Sequence, residues 1–147
     1  MRKSCQRKVE AKTPAEIVIA ITPDLQKLLD EVQPQKEQLI WLKEHESEFP
    51  DPKRPAFNFQ SEMKLIRILI SYALNNFIVH FFGQLDDYYP AELVDRIQTG
   101  AVSREELVVP SNFCTILKDN FGFEDDEIKI WLDAAPGLII TCLTRFN

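Results

Sequence analysis

Apolar side chains recur along this chain mostly at helical spacing, with little of the alternation that marks strands, so a mainly α-helical domain is expected. The longest such pattern starts at Ser61 and ends at Gly83. On a wheel of 100° per residue, Lys64, Arg67, Ser71 and Asn75 share one narrow polar stripe. Leu65, Ile66, Ile68, Leu69, Ile70, Tyr72, Ala73, Leu74 and Phe77 fill the other directions. Beyond Asn76 the stripe closes, because Ile78, Phe81 and Phe82 point where polar residues stood earlier. A helix apolar nearly all round is a buried one. Residues 61–83 are therefore expected to form a central helix about 34 Å long, wrapped by the rest of a small domain or by a second chain.

The shorter elements follow from caps and breakers. Thr13-Pro14-Ala15-Glu16 has the form of a helix start, yet the Ile17-Val18-Ile19-Ala20-Ile21 run behind it is strand-like. Thr22-Pro23-Asp24 opens a helix carrying Leu25, Leu28, Leu29 and Val32, and Pro34 is expected to end or redirect it. Residues 35–48 read as the next helix. In the connector at 49–60, Pro50, Pro52 and Pro55 hold the chain extended while Phe49, Phe57 and Phe59 pin it to the core.

Past the central helix, Pro90 opens a short helix that Gly100 ends, and Ser103 to Glu106 has capping-box spacing. Ser111 starts a helix with Phe113, Ile116 and Leu117, and Glu124-Asp125-Asp126-Glu127 opens another through Leu132. The four acids suit the positive end of a helix dipole. Ala134-Ala-Pro-Gly137 reads as a turn. Residues 138–144 are β-branched and read as a strand or a buried terminal helix. As a strand, their partner is 16–22, which makes a minor two-stranded ribbon.

Composition narrows the class. The chain of 147 residues is 45% hydrophobic and 27% charged, which excludes wholesale disorder and fits one domain over 13–147. Its net charge is −6, although residues 1–12 form a basic tail with Arg2, Lys3, Arg7, Lys8 and Lys12. The three cysteines, Cys5, Cys114 and Cys142, make neither a disulfide framework nor a CxxC zinc pair. Cys114 and Cys142 sit among apolar residues as small hydrophobes, which points to a reducing, cytoplasmic setting. No apolar signal region directly follows the basic tail. Leu65 to Phe82 resembles a membrane span, but Arg67, Asn75, Asn76 and His80 argue for a buried helix instead, so no span is expected.

Candidate chemistry is sparse. His45 lies in Glu44-His-Glu-Ser-Glu48, which lacks the second His of a zincin helix. His80 stands on an apolar surface and reads as a core residue. There is no GxSxG elbow, and glycines at 83, 100, 122 and 137 are too dispersed for a phosphate loop. Gly122 as the central glycine of a calcium loop puts Leu117 where an Asp is required. A helix-turn-helix drawn across Pro136-Gly137 offers Thr141, Thr144 and Arg145 for base reading, too little polar reach for the task.

The expectation is a non-enzymatic protein without cofactor or metal. It acts by protein–protein interaction or assembly, as an adaptor or accessory subunit that self-associates or joins a larger partner. Asp86, Asp87, Tyr88 and Tyr89 are the expected contacts, together with Trp41, because aromatic side chains are common binding hot spots. One alternative is a nucleic-acid-associated accessory protein gripping phosphates with Arg2, Lys3, Arg7, Lys8 and Lys12. Another is a small enzyme or metal protein built on His45 or His80.

Overall fold

Residues 16–49 and 58–145 are described in the computed structural model of the chain. Thr22 caps the first helix, α1 (Pro23–Glu44), its side chain accepting from the Leu25 N–H at 3.2 Å. Pro34 does not end α1 but lies inside it. Leu25, Leu29, Val32, Leu39 and Leu42 form one buried line along the whole element, whereas Pro34 is exposed. The carbonyl that loses its donor is thus on the solvent side, where the cost of an internal proline is least.

The second helix, α2 (Phe59–Gly83), begins at Asn58, whose side chain accepts from the Ser61 N–H at 2.8 Å. The others are α3 (Ala91–Thr99), α4 (Asn112–Asp119) and α5 (Asp125–Arg145), with 3-10 turns at Glu46–Glu48, Gln84–Asp87 and Arg104–Glu106. Gly100 ends α3 in the left-handed region at φ 82°, and Ser103 and Glu106 form the expected capping box. The domain is mainly α-helical, as its spacing predicts.

The core is built on the C-terminal half of α2. Phe77, Phe81 and Phe82 are fully buried there, and α4 packs Phe113 against both Phe81 and Phe82. Its ring centroid lies 5.9 Å from that of Phe81 and 5.0 Å from that of Phe82. Phe121 approaches Phe77 at 5.7 Å. Such pairs add about 0.5–1.5 kcal/mol each beyond the area they bury. Around this cluster α1 and α5 flank α2, and Lys43 of α1 reaches Glu124 at the start of α5 at 3.0 Å.

Two expectations are corrected here. Residues 134–137 are not a turn, because α5 runs unbroken through Pro136. Ile128, Ala135, Ile139, Cys142 and Leu143 fall on one buried line spanning the proline, and that burial outweighs the missing donor. The Thr141 and Thr144 hydroxyls donate to the carbonyls of Gly137 and Ile140, so these residues fit the helix interior. The ribbon between 16–22 and 138–144 does not form, since 138–144 is helix. The helix-turn-helix reading fails for the same reason.

Residues 16–22 are neither helix nor strand and pair with no strand among the described residues, with Ile17 and Ile19 buried and Val18 exposed between them. The N-terminus of α4 supplies the missing partners. The Ser111 N–H donates to the Ile17 carbonyl at 2.8 Å. The Asn112 side chain donates to the Ile19 carbonyl at 2.9 Å and accepts from the Ile19 N–H at 3.3 Å. A single amide side chain thereby does the work of a neighbouring strand. Replacing it, Asn112→Ala, strips both partners from the Ile19 backbone and should cost about 1–3 kcal/mol. The check is a denaturant midpoint together with proteolysis in the 16–22 segment; an unchanged midpoint and no new cleavage contradict this account of the strap.

Candidate functional site

The rest of the domain leaves one face of the N-terminal half of α2 uncovered. Leu65, Ile68, Leu69 and Tyr72 are 52%, 54%, 43% and 73% exposed, at spacing i, i+3, i+4, i+7. They form one apolar stripe on the side of α2 opposite Met63, Ile70 and Leu74, which are buried. Scattered exposed hydrophobics are normal, but these four are aligned along two helical turns as one contiguous apolar patch.

Charge is kept off the stripe. Arg67 turns to α5, donating to the Glu127 carboxylate at 3.0 Å. Beside the stripe runs an open trough of about 790 Å³, lined by Phe59, Lys64, Ile68, Tyr72 and Asn75 among others. Its head meets an aromatic cluster: Phe59 lies 6.0 Å from Phe49, and Phe49 lies 6.4 Å edge-on to Trp41.

The sequence-derived candidates separate across the fold. Trp41 is 44% exposed and stacks on His45 at 4.3 Å, near the start of α2. Asp86 and Asp87 follow the end of α2 and are exposed. The 25 residues of α2 put about 37 Å between those ends, so the two groups do not form one patch. Tyr89 is a correction: it is 4% exposed, and its hydroxyl donates to the Val108 carbonyl at 2.7 Å. Burial pushes the pKa of that hydroxyl up, and Tyr89 is a core residue rather than a contact. Tyr88 is half-buried, its hydroxyl accepting from the Ala20 N–H at 3.1 Å. Arg2, Lys3, Arg7, Lys8 and Lys12 lie outside the described residues, as do Cys5, Pro50, Pro52, Pro55 and Phe57.

His45 closes α1, with Nδ1 donating to the Trp41 carbonyl at 2.8 Å and Nε2 lying 3.8 Å from Glu48. Nδ1 is thus committed to the end of α1, while Nε2 lies beyond hydrogen-bond distance of the Glu48 carboxylate. His80 is exposed rather than a core residue, and borders shallow depressions shared with Asp24 and Glu31 on one side and Asp86 on the other. Among the described residues, no three of His, Cys, Asp and Glu come together as a metal site. Cys142 is buried, with Sγ 3.9 Å from the Ile78 carbonyl, and Cys114 is half-buried. The Phe59–Asp87 stretch also has the length and composition of a membrane span, with 39% of its most apolar window buried in this fold.

The clearest carboxylate perturbation lies away from the stripe. The Ser103 backbone N–H, and then the Arg96 guanidinium, hold Glu106 below its ordinary pKa of 4.5. A carboxylate with a lowered folded pKa contributes stability that is present above the unfolded value and lost as pH falls through the folded one. Glu106→Gln should therefore be less stable than the parent above pH 4.5, with the gap closing as the solution is acidified. Parallel unfolding midpoints across that range test this, and a gap that widens in acid contradicts it.

No protein family, curated protein or solved structure matches the chain, so function is argued from this surface alone.

Proposed function

We propose that this chain is a non-enzymatic protein-binding or assembly module, an adaptor or accessory subunit of the cytoplasm, that docks through the exposed face of α2. The observation that carries this reading is the Leu65, Ile68, Leu69 and Tyr72 stripe. Covering these exposed side chains gains on the order of 1 kcal/mol each, one contribution toward holding a partner without reorganising the fold. The α2 residues beneath the stripe are already packed against the core, so the surface is preformed and binding orders little new chain. Tyr72 supplies the large aromatic side chain typical of a binding hot spot. Trp41 and its Phe49 and Phe59 neighbours extend the same end of the molecule.

A protein partner is favoured over a bilayer. The C-terminal half of α2 is already covered by Phe113 and Phe121, and Arg67 is committed to Glu127 in midhelix. Spanning a membrane would strip both arrangements.

The test is the particle mass in gentle extracts of cells that naturally make the protein. The parent chain should migrate in a particle well above its own 17.1 kDa, and Leu69→Arg should fall to the mass of one chain while keeping its helical signal. Migration of the parent as a single chain, or a particle indifferent to Leu69→Arg, overturns the reading.

A further inference from the structure

We propose that the seat holding residues 17–19 is a peptide-binding site, filled by the chain's own segment and open to exchange with a segment of a partner protein. The ligand class is a segment with branched aliphatic side chains at alternate positions. Ile17 and Ile19 are 2% and 1% exposed, while Val18 between them is 57% exposed. Among the described residues, the polar contacts that hold the segment go to its backbone. The Ile17 carbonyl accepts from the Ser111 N–H at 2.8 Å and from the Ser111 hydroxyl at 3.3 Å. Asn112 takes both the N–H and the carbonyl of Ile19, and the Ala20 N–H donates to the Tyr88 hydroxyl at 3.1 Å. Backbone bonds for affinity and burial of alternate side chains for selectivity are the two halves of recognition by strand addition. The seat reads two side chains and leaves the outward position free, so the segment now in it defines what fits.

The same arrangement makes the segment separable. It is neither helix nor strand, so its release breaks no helical hydrogen-bond ladder. The phenylalanines that build the core, Phe77, Phe81, Phe82, Phe113 and Phe121, all belong to later parts of the chain. Thr22 caps α1 with its own side chain and carbonyl, so α1 keeps its cap when the segment leaves. A segment held in this way opens locally, at a free energy below that of global unfolding. While seated, it competes as a tethered ligand at an effective concentration on the order of millimolar. The site is thus closed to weak ligands and yields to a partner whose segment fits better. The seat shares no residue with the α2 stripe, so the two readings fail independently.

The test uses the purified full chain and a fluorescent peptide of residues 16–22. Ile19→Asp in the chain puts a charge where an aliphatic side chain is buried and ejects the chain's own segment. Peptide binding, read by anisotropy, should then rise roughly tenfold or more over the parent. Adding Asn112→Ala to the chain, or Ile19→Asp to the peptide, should remove the gain. Exchange in the chain with its own segment seated is read by thiol labelling located by mass spectrometry. Under native conditions the thiol of Ile19→Cys should react well before that of the buried Cys142. Labelling of the two at one rate makes the segment an integral part of the core and overturns the proposal, whether or not Ile19→Asp folds. A folded Ile19→Asp chain that gains no peptide binding also overturns it, as does a gain indifferent to Asn112→Ala or to Ile19→Asp in the peptide.

Discussion

The packing of Phe113 against Phe81 and Phe82 is the contact on which the rest of this structure depends. It fixes the C-terminal half of α2 among α4, Phe121 and the last turns of α5. Once that end is sunk, the remaining turns of α2 are carried outward between α1 and α5, which cover two sides and leave a third open. A chain of this size buries roughly two thirds of its unfolded surface, and α2 has more apolar surface than its neighbours cover. The surplus is collected in one place, as Leu65, Ile68, Leu69 and Tyr72.

That division ties sequence to function through a single helix. The C-terminal half has no Asp, Glu, Lys or Arg and has bulky phenylalanines, so it serves as core. The N-terminal half carries Lys64 and Arg67, which keep the face beside the stripe in water, and Arg67 uses its guanidinium to dock α5. The stripe between them is rigid because the residues behind it are packed. A preformed apolar face on a long helix is suited to meeting another helix.

Much of the fold was legible in the residues, and the misreadings share a cause. The caps at Thr22 and Ser103, the end of α3 at Gly100 and the existence of α2 follow from local chemistry that tertiary structure does not override. At Pro34 and Pro136 burial overrides the local helix-breaking tendency of proline. In α5 a continuous buried line from Ile128 to Leu143 outweighs one lost hydrogen bond. Residues 16–22 have a strand's alternation and lack a strand's neighbour; the amide of Asn112 fills that place, and a side chain standing in for a backbone leaves no periodic trace. For the surface, the excess of apolar directions on α2 was visible, but not which ones stay open. That depends on where α1 and α5 lie, and Tyr89 illustrates the same limit, since its burial is set by Val108 some way along the chain.

The central claim is that one half of α2 holds the fold together while the other half waits for a partner. Hydrogen exchange along α2, measured first on the isolated chain at high dilution and then in its native assembly, addresses it directly. Phe77 to Phe82 should be strongly protected in both states, whereas Leu65 to Tyr72 should gain protection in the assembly alone. Equal protection of Leu65 to Tyr72 in the two states would contradict the account.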